Sequence, residues 1–115
     1  MHDLIAKTVG FLEIKKPYRI IIKPKFKPNK NRAQCWARYK AGKLVRHDVE
    51  INLHNIEGDM RKIDILIAHE FVHAWQVEQG IMDSKNYHDK HFRSMAKKLG
   101  KYLGLENIYV KGVDV

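Results

Sequence analysis

The stretch MRKIDILIAHEFVHAWQVEQ, residues 60 to 79, decides how this chain folds. Drawn as a helix, it carries apolar residues on nearly every side, a pattern that predicts a helix enclosed by other elements. Gly58-Asp59 precedes it, with Asp59 as a candidate N-cap, and Gly80 ends it. Polar side chains are costly to bury without partners, so those in the middle of this helix require an explanation.

An H-E-x-x-H motif lies within this helix and consists of His69, Glu70 and His73. Positions i and i+4 share one face, so both imidazoles can reach one metal ion, and the glutamate is angled toward a water on that ion. Zinc lowers the pKa of a bound water to about 7, and a neighbouring carboxylate can take the proton. The motif also occurs by chance on surface helices, but an unpartnered glutamate in an apolar helix is costly. We therefore predict His69 and His73 as zinc ligands and Glu70 as the catalytic base.

A catalytic zinc site needs a third protein ligand, and the last predicted helix offers two histidines. This helix spans roughly residues 88 to 103 and has one apolar stripe. His88 is four residues before Phe92 and shares the stripe, whereas His91 lies toward the polar flank. The spacing favours His88 as the third ligand.

Outward from the central helix, the pattern predicts one more helix and three strands. The predicted segments are an amphipathic helix over residues 3 to 13, a strand from Tyr18 through Ile22, a strand over Ala33 to Tyr39, a turn at Ala41-Gly42-Lys43, and a strand from Leu44 to Leu53. Their order predicts a single α+β domain, residues 1 to 115, with a three-stranded antiparallel sheet. We expect Cys35 and Trp36 in the core and consider a short terminal strand over residues 105 to 115.

Composition restricts the class of protein. The chain has 115 residues, 44% hydrophobic and 30% charged, as expected of one globular domain. Cys35 is its one cysteine, so no intramolecular disulfide can form, which favours a reducing, cytoplasmic location. The first residues never reach a sustained apolar run, so we expect neither a signal peptide nor a membrane partner.

The formal charge of +9 makes nucleic acid a candidate partner. One basic stretch, with Tyr18 and Phe26 interleaved, could follow phosphates and stack on bases. It comprises Lys15, Lys16, Lys23, Lys25, Lys27, Lys30 and Arg32. An edge strand protected from aggregation by lysines has the same pattern, and we favour that interpretation. A second set is expected to be the solvated side of the last helix: Arg93, Lys97, Lys98 and Lys101.

Two segments together match a known arrangement. They are His69-Glu70-Phe71-Val72-His73-Ala74-Trp75 and, fifteen residues after His73, His88-Asp89-Lys90-His91-Phe92. Over about residues 44 to 103 the chain thereby resembles the SprT-like (Spartan-type) zinc metallopeptidase domain. The resemblance implies a zincin-like domain in which His69, His73 and His88 bind zinc and Glu70 is the base.

The chain departs from that family in two respects. Asp89 replaces a glycine that often follows the third histidine, and could hydrogen-bond a ring nitrogen or cap the helix. The cysteine-rich zinc ribbon of many relatives is not expected, because the chain has one cysteine. Ligation by His88 survives the first departure, and DNA targeting through a ribbon is not expected after the second.

These observations predict a zinc-dependent endopeptidase of the cell interior. Members of the family are implicated in cleaving proteins crosslinked to DNA, so protein substrates at or near DNA are expected. A phage-encoded protein that acts in the host cell would fit this prediction. The alternative is a nucleic-acid-binding or scaffolding module with a structural or vestigial zinc site, although such a site has no use for Glu70. A metal-dependent nuclease is disfavoured, because three imidazoles suit zinc better than hard cations.

Substrate contacts are predicted less specifically. We expect a strand beside the central helix, either Val49 to Leu53 or an earlier one, to hold an extended peptide by main-chain hydrogen bonds. His47, His54 and Tyr87 are candidates for stabilising the developing oxyanion.

Overall fold

Within the residues that the structure describes, three helices and three strands form an α+β fold, as predicted. The structure, a computed structural model, describes residues 2–23, 32–52, 60–83, 85–105 and 108. The elements are helix α1 (His2–Leu12), strands β1 (Tyr18–Lys23), β2 (Ala33–Lys40) and β3 (Lys43–Asn52), and helices α2 (Met60–Gln79) and α3 (Lys90–Leu103). Helix α2 packs against β2 and β3, while α1 and α3 pack against α2. The central helix therefore lies between the sheet and the other helices.

The sheet is mixed, with β3 in its centre. Strands β2 and β3 form an antiparallel hairpin, whose turn residues Ala41 and Gly42 both have positive φ, 53° and 78°. These angles are those of the type I′ turn, whose twist suits a two-residue hairpin.

The prediction of an antiparallel sheet is wrong for β1. This strand pairs with β3 in parallel, with Ile20 opposite Val49. Residues 47 to 51 of β3 are all buried, so this strand needs cover on both faces and a neighbour along both edges. Strand β3 therefore takes the place between β1 and β2, and β1 runs opposite to β2 without touching it in the ladder.

The core forms around α2, where this helix packs against β3 and against α3. Its fully buried apolar side chains include Val49, Ile51, Ile67, Phe71 and Leu99. Half-buried Cys35 packs against this core, but the prediction of a buried Trp36 is wrong because its side chain is 43% exposed. Successive strand residues point to opposite faces, so once Ala33 and Cys35 face the helices, Trp36 must face away.

Some predicted features fall outside the described residues. They are the N-cap Asp59, the oxyanion candidate His54, the strand end Leu53, the terminal strand beyond Leu105 apart from Ile108, and Lys25, Phe26, Lys27 and Lys30 of the basic stretch. Within the described part of the chain, none of the helices combines the length and apolar character needed to cross a membrane.

In addition to the main-chain pairing, one buried carboxylate connects side chains of all three strands. The side chain of Asp48 on β3 is fully buried and accepts hydrogen bonds from Arg19 at 3.0 Å, Arg38 at 2.8 Å and Arg46 at 2.9 Å. Hydrogen bonding from Arg19 is the largest effect that holds the pKa of Asp48 well below its usual range; burial opposes it, and Arg38 and Arg46 lower the pKa further. Because these arginines come from all three strands, Asp48 ties the sheet together.

We predict that Asp48→Asn destabilises the protein by about 1.5–3 kcal/mol, the range for hydrogen bonds to a charged group. A carboxyl with a lowered pKa stabilises the fold above its unfolded pKa of about 3.9 and loses this effect as pH falls toward its folded pKa. Urea unfolding should therefore show a difference between wild type and variant that shrinks below about pH 4. Asp3→Asn, which removes an exposed ion pair with Lys7, is the matched control and should change stability little. Equal effects of the two variants would contradict this role for Asp48.

Candidate metal centre

Three histidine side chains converge where α2 meets the start of α3. His69 and His73 are one turn apart on α2, and Nε2 of His88 lies 3.2 Å from Nε2 of His69 and 3.3 Å from that of His73. The ligand atoms of all three lie within 4.8 Å of one another and could hold a metal ion. His91 is exposed and lies outside this group. The structure thus brings together the three histidines that the sequence pattern selected.

His88 reaches the group from a turn and not from the helix. Helix α3 begins at Lys90, two residues later than predicted, and Asp89 is its N-cap. The carboxylate of Asp89 accepts the backbone N–H groups of His91 at 3.0 Å and Phe92 at 3.1 Å. Of the two roles considered for Asp89, capping is therefore the one observed, and the cap fixes the turn that carries His88.

The protonation of His69 follows from its partner. Its Nδ1 lies 2.9 Å from the carbonyl oxygen of Ile108, and a carbonyl can only accept. The proton of the neutral ring is therefore on Nδ1, and Nε2 carries a lone pair that points into the group of histidines. Proteins usually orient a metal-binding imidazole in this way, through a hydrogen bond from the ring nitrogen that does not bind the metal.

Gln76 fixes His73 in the same way and was missed by sequence reasoning. Its buried amide donates to the carbonyl of Tyr87 at 3.2 Å and toward Asp89 at 3.5 Å, so its oxygen is left to accept from Nδ1 of His73 at 2.8 Å. One amide thereby sets the tautomer of one ligand and holds the turn that carries another. The available signal was a glutamine three residues after His73, in the part of the helix that is predicted to be enclosed.

The resulting arrangement suits a cation. With protons on Nδ1 of His69 and His73, both Nε2 atoms present lone pairs, and a neutral His88 can donate a proton to one of them but not to both. A positive ion between the nitrogens would attract these lone pairs and so remove the repulsion between them. Two nitrogens bound at 2.0–2.1 Å to a tetrahedral zinc ion are about 3.3 Å apart, which is close to the two separations given above.

Phe92 supports the three imidazoles together. Its fully buried ring lies 4.8 Å from the ring centres of His69 and His88, and 4.5 Å from that of His73, on which it stacks. The stripe of α3 that suggested His88 thus does contact the site, although through Phe92. A rigid aromatic ring limits the rotation of each histidine and so helps to pre-organise the site.

Glu70 is placed beside the histidines. Its carboxylate is fully buried, and Oε2 lies 3.9 Å from Nε2 of His69. A small molecule bound next to that nitrogen would be within reach of the carboxylate. The position suits a general base, which needs to be within hydrogen-bond reach of the proton that it accepts.

Two oxyanion candidates have other roles in the structure. His47 is buried and donates through Nε2 to Glu78 at 2.7 Å. Burial acts to raise the pKa of Glu78, but hydrogen bonds from the backbone of Lys15, from His47 and from the backbone of Lys16 together lower it. Glu78 thereby ties β3, through His47, and the segment between α1 and β1, through Lys15 and Lys16, to α2. Tyr87 contributes its carbonyl to Gln76, while its exposed ring lies 6.5 Å from that of His73.

Comparison of the chain with protein-family models and with curated proteins found no match. The resemblance to SprT-like domains therefore rests on the motif residues alone, and what it implies about activity remains a proposal.

We predict that Gln76→Ala lowers the affinity for Zn²⁺ by about 10–100-fold, the usual effect of losing a partner of a metal-binding histidine. Competition with a chromophoric chelator measures this affinity. Gln79→Ala, at the exposed end of the same helix, is the matched control and should bind zinc as wild type does. If both variants kept wild-type affinity, Gln76 would not position the ligands.

Proposed function

We propose that this chain is a zinc-dependent metallopeptidase that cleaves within protein chains, with His69, His73 and His88 as zinc ligands and Glu70 as general base. The observation that carries the proposal is the placement of a buried carboxylate 3.9 Å from a ligating nitrogen in a group of three converging imidazoles. Two of the ligands, His69 and His73, and the base Glu70 come from one turn of α2, as the H-E-x-x-H spacing requires.

The donor set favours zinc and a catalytic site. Imidazole nitrogens suit zinc, whereas magnesium and calcium prefer oxygen ligands. Structural zinc sites usually have four protein ligands, and catalytic sites have three with one position open. Three is the number of ligand-bearing side chains found together here among the described residues. This count supports catalysis over the alternative of a structural or vestigial site in a binding module.

The proposed reaction is hydrolysis of a peptide bond. Zinc, when bound, supplies Lewis acidity toward a water molecule and toward the substrate carbonyl. Glu70 accepts a proton from the water as its oxygen bonds to the carbonyl carbon. The same carboxyl then gives the proton to the departing nitrogen as the C–N bond breaks, so Glu70 returns to its starting state.

The sheet limits where an extended substrate can lie. Strand β3 is paired on both sides, so residues Val49 to Asn52 offer no free edge for main-chain hydrogen bonds. The outer edges belong to β1 and β2, and one of these earlier strands is therefore the proposed substrate strand.

The proposed substrates are proteins at or near DNA. The support is the resemblance to SprT-like domains together with the formal charge of +9, which concentrates the chain near polyanions. Of the basic stretch, the described Lys23 belongs to the edge strand β1 and pairs with Glu50 at 2.9 Å. An edge strand protected by charge agrees with this placement, so the stretch itself adds little support.

We predict that Glu70→Gln keeps about one zinc per chain but lowers hydrolysis by about 10²–10⁴-fold, because the variant lacks the base. Metal analysis combined with cleavage of an unfolded protein, with and without single-stranded DNA, measures both properties. Wild-type activity in Glu70→Gln would remove the mechanism. Wild-type protein that binds zinc but cleaves no protein would favour the binding module.

We predict that His88→Ala loses both zinc and hydrolysis, since two histidines alone leave the site short of a ligand. His91→Ala is the matched control, because this exposed residue is three positions away and outside the group. Zinc retention by His88→Ala together with zinc loss by His91→Ala would reverse the ligand assignment.

A further inference from the structure

The face of the sheet opposite α2 carries an unusual set of side chains. Ala33, Val49 and Ile51 point into the core, so the residues that alternate with them point to the other side. We call this set the arginine face; it comprises Arg19 of β1, Trp36 and Arg38 of β2, and Arg46 and Asp48 of β3. In the strand register, Asp48 lies between Arg19 and Trp36, and Arg38 lies opposite Arg46.

On this face the negatively charged side chains are buried and the positively charged ones are exposed. The side chain of Asp48 has no exposed surface, whereas those of Arg19, Arg38 and Arg46 are 56%, 42% and 38% exposed. Lys23 and Glu50 repeat the arrangement next to it, with the lysine 49% and the glutamate 9% exposed. The carboxylates are thus the buried members and the cations the exposed members. The surface presented to solvent is therefore positive.

The buried carboxylate also orients the guanidinium groups. Each of the three arginines donates its Nε to Asp48, which holds the planar group in place. A guanidinium has five N–H donors, so further donors remain on each of these three groups after the bonds to Asp48. Fixed guanidinium groups are well suited to phosphate oxygens, because little side-chain entropy is lost on binding.

Trp36 adds an aromatic surface to these cations. Its indole is 43% exposed, and Cζ of Arg38 lies 5.6 Å from the ring centre. Tryptophan is enriched at interfaces, because its ring supplies a large apolar surface together with one polar N–H. Nucleic-acid bases stack on aromatic rings and on guanidinium planes, and this face offers both side by side.

We propose that the arginine face binds single-stranded nucleic acid, with phosphates at the guanidinium groups of Arg19, Arg38 and Arg46 and a base stacked at Trp36. Base faces are accessible in a single strand but are covered in a duplex. A second copy of this face would bring like charges together. An acidic peptide matches the charge but has no base to stack on Trp36.

This surface is separate from the histidine site. Helix α2 packs on the other side of the sheet, and no residue of the arginine face belongs to the group of three histidines. The inference therefore does not rest on the proposed peptidase function. Binding is expected to be unchanged in Glu70→Gln, so a failure of either idea can be told apart from a failure of the other.

The test uses the full chain and a fluorescently labelled oligothymidylate, with binding followed by fluorescence anisotropy at several salt concentrations. Trp36→Ala should weaken binding by about 5–150-fold, the equivalent of one stacked base. Trp36→Phe should retain most of the affinity, and Trp36→Leu should not, because it is apolar without being aromatic. Tyr102→Ala, which removes an exposed aromatic residue on α3, is the control.

The charge is tested by a second matched pair. Arg38→Gln leaves Asp48 with two arginines and should lower both the affinity and the slope of log affinity against log salt, the latter by about 0.7. Lys97→Gln removes the same charge from the exposed side of α3 and should have a much smaller effect.

Several results would overturn the proposal. They are failure of the wild-type protein to bind the oligonucleotide, equal loss in Lys97→Gln and Arg38→Gln, equal binding of polyglutamate, equal binding of the duplex, or dimerisation that Trp36→Ala abolishes.

Discussion

The enclosure of α2 is the physical constraint on which the other features depend. Most of this helix from Ile63 to Gln76 is buried between the sheet and the two other helices. The buried polar side chains in that stretch, His69, Glu70, His73 and Gln76, have lost contact with bulk water and must find partners in the protein. Nδ1 of His69 is hydrogen-bonded to the backbone carbonyl of Ile108, and Nδ1 of His73 to the side chain of Gln76. The Nε2 atoms of both histidines lie close to Nε2 of His88. The need to satisfy buried groups thus fixes the tautomers of His69 and His73, two of the three candidate ligands.

Polar networks join α2 to the segments around it. Gln76 connects the helix to the turn that carries His88, and Glu78 connects it to His47 of β3 and to the backbone of Lys15 and Lys16. Both networks lie in the last turns of α2, just after His73. They orient α2 relative to the sheet and to α3, which apolar packing alone would define less strictly because apolar contacts are non-directional.

The sequence predicted correctly those features that depend on residues close to one another in the chain. The bounds of α2, the hairpin and the convergence of His69 and His73 follow from helical and strand periodicity, which operates within a few residues. His88 was selected through a helix that in fact begins at Lys90. It still lies beside His69 and His73, because Phe92 and the Asp89 cap hold the turn that carries it. The parallel pairing of β1, the outward position of Trp36 and the role of Gln76 depend on contacts between distant segments. A single sequence states which residues are polar, but not which distant partner satisfies them.

The hydrogen bond from His69 to Ile108 connects the group of three histidines to a distant part of the chain. It joins two points of the chain 39 residues apart, and the side chain of Ile108 is buried against Gly100 of α3. Any ion that selects the lone pair on Nε2 of His69 also selects the tautomer that holds Ile108 in place. Binding of an ion at that lone pair would therefore be linked to the position of Ile108, and each would stabilise the other by the same free energy.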